Sequence, residues 1–197
     1  FLSYHDITYV GTSSILFELM LDKVTEKKTK KELGVPCVPG SDGVIKDLEE
    51  AKKIAVKIGF PLIVKASAGG GGRGMKLVNN ADSLESAIKS AKKEAHAAFG
   101  NDDVYIERYL TNPKHIEIQV IGHGKGNAVH LAERDCSIQR RHQKLTEETP
   151  SPFMTSRLRE KMGKAAVKAA KFINYEGVGT IEFLVDNKRN FYFMEMN

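Results

Sequence analysis

Cysteine is scarce in this 197-residue sequence, long apolar runs are missing, and there is neither an internal repeat nor a low-complexity tract. Cys37 and Cys136 are isolated and lack metal-ligand spacing, which reads as two reduced structural thiols rather than a disulfide framework. No stretch approaches the roughly 18 apolar residues of a membrane span; the nearest, residues 15–21, is short and contains Glu18. No segment has the pattern of a signal peptide. The first residue is Phe1, not an initiator methionine, so a piece or processed product of a longer protein is expected.

The composition is that of an ordinary globular chain, with 41% hydrophobic and 28% charged residues, enough for one large or two small domains. A net charge of +5 raises the question of a polyanion partner. The lysines, however, alternate with acids, as in Glu49-Glu50-Ala51-Lys52-Lys53 and Glu85 with Lys89. Solvated helix faces account for that pattern, so no nucleic-acid partner is expected.

Residues 65–76, KASAGGGGRGMK, stand out. Four consecutive glycines and Gly74 leave backbone N–H groups open, and Lys65, Arg73 and Lys76 frame them, so the loop can surround a phosphate. A flexible linker or hairpin tip is the plainer alternative. A Walker loop is excluded, because the lysine precedes the glycines and residues 75–78 read as a strand, not a helix.

In chain order, residues 6–11 read as a strand end and residues 15–33 as a helix stopped by Gly34 and Pro36. Residues 35–43 form an extended, turn-rich connection. Asp47 caps an amphipathic helix to about Ile58, residues 60–66 and 75–78 are strands, and a second helix runs from Asn80 and Asp82 to Phe99, closed by Gly100. Residues 104–110 are a strand. Residues 115–120 alternate with period two, placing His115, Glu117 and Gln119 on one face. A turn at 122–126 leads to a returning strand, 128–133, and then a basic, irregular stretch, 134–144. If that stretch is extended, Arg140, His142 and Lys144 share a face and can meet an anion. A helix over 155–173 precedes strands 179–186 and 191–196.

The last two strands permit a register argument. With a four-residue loop, 187–190, opposed positions sum to 377, so Glu182 faces Glu195 while Phe193 and Asn197 share the side of Glu195. Like charges so placed repel unless a divalent cation joins them. A solvent-facing edge pair is the alternative, and a one-residue slip would put the two glutamates on opposite faces.

Taken together, Lys65-Ala66-Ser67 with the glycines, Glu107-Arg108-Tyr109-Leu110, residues 112–120 (NPKHIEIQV), residues 133–144 (ERDCSIQRRHQK) and Glu195-Met196-Asn197 resemble biotin carboxylase, the ATP-grasp component of acetyl-CoA, acyl-CoA and pyruvate carboxylases. The resemblance implies an α+β ATP-grasp fragment. Residues 1–10 would end the N-terminal domain, 11–36 form a linker helix, 37–109 the ATP-grasp lid, and 110–197 the start of the C-terminal domain. It implies ATP contacts from Lys23, Lys65, Gly71, Gly72, Glu107, Arg108, Tyr109, Leu110, His115, Gln139, His142 and Lys144. His142 and Lys144 would act at the terminal phosphate, and Glu182, Glu195 and Asn197 at Mg²⁺ (or Mn²⁺). The implied reaction is ATP- and bicarbonate-dependent carboxylation of biotin on a carrier protein or domain, passed on to a carboxyltransferase component, as at the start of fatty acid biosynthesis. A homodimeric parent is implied, in bacterial cytoplasm, mitochondrial matrix or plastid, with no membrane partner. The glycine loop then becomes the moving lid over ATP. Leu21-Asp22-Lys23 and Gly11-Thr12 depart from the family's usual glycine and Gly-Pro there, which bears on Lys23 alone. The family's following Thr-Arg-x-Gln-Val-Glu-His lies outside this sequence, so nucleotide contacts without full activity are expected of the chain by itself. Another ATP-grasp carboxylate ligase, or a non-catalytic nucleotide-binding module, are the alternatives.

Overall fold

The computed structural model describes residues 34–68, 74–140 and 143–197. The expected strand at 6–11 and helix at 15–33, and the candidate residues Lys23, Gly71, Gly72 and His142, lie outside them. Two antiparallel sheets organise the rest. The first contains α1 (Leu48–Ile58), β1 (Leu62–Ala66), β2 (Met75–Val78), α2 (Leu84–Phe99) and β3 (Val104–Arg108), with strand order β2–β1–β3. The second contains β4 (Lys114–Gly124), β5 (Asn127–Arg140), β6 (Gln143–Glu148), α3 (Ser156–Phe172), β7 (Glu176–Val185) and β8 (Phe191–Met196), in the order β6–β5–β4–β7–β8.

Local chemistry sets the helix ends. The Asp47 carboxylate accepts from the Glu50 N–H at the start of α1, and Thr155 accepts from the Leu158 N–H at the start of α3. Asn80 caps a short 3₁₀ turn leading into α2, and Gly100 ends α2 in the left-handed conformation at φ 69°. Ala51, Ala55 and Ile58 of α1 pack with Leu62, Val64, Val78, Leu84, Ile88, Ala91, Val104 and Ile106 to make the smaller core. Alternation therefore leaves Ile63, Lys65 and Glu107 on the face of this sheet turned away from that core.

The larger core follows the same rule. Ile116, Ile118 and Val120 of β4 and Ile181, Phe183 and Val185 of β7 meet Leu158, Met162, Ala166 and Ala170 of α3. The intervening positions, His115, Glu117 and Gln119 on β4 with Thr180 and Glu182 on β7, consequently share the opposite face. Arg159 of α3 grips buried Glu133 of β5 through two 2.6 Å bonds, fixing the helix against the strand. Residues 36–45 tie the two sheets together. Phe193 N–H donates to the Pro36 carbonyl, while Ser41 and Ile45 N–H groups donate to Ile106 and Val104 carbonyls on β3.

At Gly122 the sheet leaves no room for a side chain: a Cβ there would lie 2.0 Å from the carbonyl oxygen of buried Tyr175. The obstacle is backbone, so it cannot rotate away. Gly122→Ala is expected to destabilise the protein by about 1–3 kcal/mol, read as a lowered denaturation midpoint; an unchanged midpoint would contradict this packing.

Two expectations need correction. Residues 134–140 belong to strand β5, which pairs antiparallel with β6 through register shifts between Asp135 and Gln139, and Arg140 pairs with Gln143. Arg140 and Lys144 therefore do not lie along one extended strand; Lys144 sits opposite Gln139. The final hairpin also departs from a single register. Val185 pairs with Phe191, so the loop is the five residues Asp186–Asn190, closed by the Asp186 carboxylate accepting from Lys188 and Asn190 N–H groups. A register shift between Phe183 and Glu182 leaves Met194 unpaired as a bulge. The bulge cancels the longer loop, and Glu182 faces Glu195 after all. Phe193, in contrast, lies on the core face opposite Phe183, not on the side of Glu195.

Candidate nucleotide and metal site

Across the second sheet, the registers place Arg134 (β5), Glu117 (β4), Glu182 (β7) and Glu195 (β8) in one transverse row. Three carboxylates on adjacent strands would repel strongly at such spacing. Cations from β5 and β6 answer part of that charge. Arg134 binds Glu117 through Nε at 2.5 Å, as well as through Nη2, and reaches Gln119 Oε1 through Nη1 at 2.8 Å. Lys144 Nζ lies between Glu117 Oε2 at 2.5 Å and Glu182 Oε1 at 2.8 Å. Glu117 is 2% exposed and Glu182 3%, so these are interior charges, fully partnered.

Burial alone would push both carboxyls up. For Glu117 the bonds and charges of Lys144 and Arg134 outweigh that, and for Glu182 those of His115 and Lys144 do, so both are held below the usual carboxylate range. Burial likewise opposes the charge on Lys144, but Glu117 and Glu182 together raise its ammonium above its ordinary value.

Glu182 is the convergence point. His115 Nε2 lies 2.7 Å from its Oε2, and Asn197 Nδ2 donates to its Oε1 at 2.8 Å. Gln139 Nε2 donates to His115 Nδ1 at 2.6 Å and to the Cys136 carbonyl at 2.8 Å. With Nδ1 facing the Gln139 amide, Nε2 is the ring nitrogen directed at Glu182. The His115 backbone N–H is held by Ser137 Oγ at 3.0 Å.

The candidate residues thus fall into groups. His115, Gln139, Lys144, Glu182 and Asn197 form one hydrogen-bonded cluster, and Glu195 faces Glu182 from β8. Lys65 and Glu107 pair with each other at 2.8 Å on the open face of the smaller sheet. Arg108 turns away, its Nε donating to the Ile58 carbonyl at the end of α1. Tyr109 and Leu110 lie in the connection between β3 and β4, with the Tyr109 N–H on the Pro61 carbonyl. Glu117 and Arg134 are the central residues that the sequence reading did not assign. The available signal was the polar alternation His115-Glu117-Gln119 set against Ile116-Ile118-Val120.

The donor set suits a hard divalent cation. Glu182 and Glu195 offer opposed carboxylate oxygens, with an amide oxygen on Asn197 beside them. A second oxygen–sulfur cluster, Glu117, Cys136 and Glu147, does not suit a metal in this form. Burial, with the Glu117 charge beside it, pushes the Cys136 thiol up to about 12, and Arg134 already bridges Glu117 and Glu147. Among the described residues, no helix is long and apolar enough to cross a membrane.

Comparison with known proteins gives a consistent result. The family described as carbamoyl-phosphate synthase L chain, ATP binding domain, matches residues 22–197. A biotin carboxylase of Nostoc sp. is 55% identical over 193 residues, covering 98% of this chain and 43% of the relative. The biotin carboxylase of Haemophilus influenzae is 54% identical over 191 residues, covering 96% of this chain and 42% of its own length. The Campylobacter jejuni biotin carboxylase–βγ-ATP complex superposes with a TM-score of 0.92 at 52% identity, covering all of this chain and 44% of that structure. The biotin carboxylase domain dimer of Hydrogenobacter thermophilus 2-oxoglutarate carboxylase, solved with MgADP, ADP and bicarbonate, gives 0.90 at 52% identity, covering 100% of this chain and 43% of that one. The chain spans less than half the length of these relatives.

Proposed function

The chain belongs to the carbamoyl-phosphate synthase L chain ATP-binding domain family and has the ATP-grasp fold of biotin carboxylases, and from that premise we propose that it is the nucleotide-binding part of a biotin carboxylase. The observation that carries the proposal is the transverse row Arg134–Glu117–Glu182–Glu195. A carboxylate row with Glu117 and Glu182 buried and Glu195 half-buried, completed by Lys144, His115 and Asn197, is a costly arrangement for a purely structural sheet, and it suits metal-assisted phosphoryl transfer.

In this reading Glu182 and Glu195 hold Mg²⁺ or Mn²⁺, with Asn197 beside them. The metal would offset charge on the phosphates and orient them. Lys23, Lys65, Gly71 and Gly72 contact the phosphates, residues 107–110 hold the adenine, and His115 and Gln139 meet the ribose. His142 and Lys144 serve the terminal phosphate. Residues 1–10 end an N-terminal domain, 11–36 link it to a lid over 37–109, and 110–197 begin the larger domain. A bicarbonate oxygen attacks the γ-phosphorus as ADP leaves, and the resulting carboxyphosphate breaks down to CO₂ and phosphate. The deprotonated ureido nitrogen of biotin then captures CO₂. A biotin carrier and a carboxyltransferase are the partners, in a homodimeric parent protein housed in bacterial cytoplasm or an organelle.

The test is ATP hydrolysis by the protein carrying this chain, with bicarbonate present. Hydrolysis stimulated severalfold by free biotin, with biotin carboxylated, is expected. Hydrolysis driven instead by another carboxylate acceptor would replace this reading with that of a different ATP-grasp ligase. Within the same assay, Lys65→Gln is expected to raise the KM for ATP about tenfold with little change in kcat, because a ground-state phosphate contact is removed. An unchanged KM would remove Lys65 from the site.

A further inference from the structure

We infer that the Lys144 ammonium is a removable stand-in for the divalent cation, seated between Glu117 and Glu182 and required to withdraw to Glu117 before Glu182 can ligate a metal. The inference rests on the reading of Glu182 as a metal ligand.

Every oxygen of Glu182 is already engaged: Oε2 with His115, Oε1 with both Lys144 and Asn197. A ligating oxygen must therefore lose a partner, and the three differ in what they can do. His115 is anchored from behind by Gln139 and keeps its Nε2 on Oε2, so it can stay there. Asn197 is neutral and, by turning its amide, can offer its own oxygen to the metal. Lys144 brings an ammonium to 2.8 Å from Oε1, the oxygen that a second cation would take, and like-charge repulsion there disfavours joint occupancy.

The sequence and fold make that withdrawal easy. Lys144 lies on β6, an edge strand exposed along its whole length, and its four-carbon stem is flexible. Its second bond, to Glu117 Oε2 at 2.5 Å, remains available when Glu182 is taken. Arg134 cannot replace it, being committed to Glu117, Gln119 and Glu147. Metal arrival would thus turn Lys144 from a two-carboxylate counterion into a cation with capacity to spare for an incoming phosphate. By linkage, whatever draws Lys144 away from Glu182 must favour metal binding equally.

The experiment measures Mn²⁺ affinity by the loss of the free-ion electron paramagnetic resonance signal, in nucleotide-free protein at pH 8. Lys144→Met is expected to bind Mn²⁺ at least tenfold more tightly than wild type. Equal or weaker binding by a folded Lys144→Met protein would overturn the inference. Should circular dichroism show that variant unfolded, Lys144→Arg decides. A guanidinium fork holds Glu182 more firmly, so Mn²⁺ affinity should fall severalfold, and an unchanged or higher affinity overturns the inference. Glu182→Gln with ADP present separates the two levels. If it binds Mn²⁺ as wild type does, the metal-ligand reading fails and takes this inference with it. If it loses Mn²⁺ while Lys144→Met matches wild type, the stand-in role alone fails.

Discussion

Glu182→Gln is expected to lower Mg-ATP-dependent turnover by about 10²–10³-fold, the scale on which loss of one preorganised electrostatic group acts. Glutamine keeps the shape and removes the charge on which His115, Lys144 and Asn197 converge. It also exchanges one acceptor oxygen for an NH₂ group, so at least one of those donors must face another donor. The loss should appear in kcat and should resist rescue by raised Mg²⁺, because the ligand itself is gone. Steady-state kinetics across a Mg²⁺ titration checks this. A variant with wild-type kcat at any Mg²⁺ concentration would remove Glu182 from the chemistry.

Glu117→Gln should reveal itself in stability. Glu117 is the interior anion that holds Arg134 and shares Lys144, and removing one partner of a buried pair leaves the others uncompensated. Lys144 keeps Glu182, and Arg134 keeps partial contact with water, so a loss of about 3 kcal/mol, at the low end for such pairs, is expected. The pH dependence carries a definite sign. The native carboxyls of Glu117 and Glu182 titrate below their ordinary value of 4.5. They contribute stability fully above that pH and lose it as pH falls through the lower native values. Wild-type stability should therefore hold through neutrality and decline on the acid side of about pH 4.5, and Glu117→Gln should decline less steeply from a lower plateau. Denaturant melts between pH 3 and 8 check both features. Parallel curves for the two proteins would contradict the assignment.

Local signals were legible where local chemistry decides. Asp47, Asn80 and Gly100 marked helix boundaries, and the alternation of residues 115–120 marked β4 together with its polar face. The opposition of Glu182 and Glu195 was reached from the sequence, though by a register that the hairpin does not keep. The loop is one residue longer than assumed, because Asp186 closes it through its own side chain, and only the Met194 bulge restores the pairing. Bulges carry no reliable sequence mark. Residues 134–140 were illegible as a strand because no apolar alternation runs through them: Arg134 and Gln139 serve the site, and Asp135 binds Ser137 and Ser151. Glu117 stayed unassigned for a different reason. Its partners on β7 and β6 are set by long connections, including α3, so no local spacing discloses the register.

The central claim is that this chain holds a metal–nucleotide site on the Glu117–Glu182–Glu195 row, and calorimetric titration with Mg-ATP tests it most directly. Wild type and Lys89→Ala, whose change falls on an exposed α2 ion pair with Glu85, should bind alike. Glu195→Gln should lose the binding heat while keeping its fold. Equal binding by Glu195→Gln and wild type, or no binding by any of the three proteins, would contradict the account.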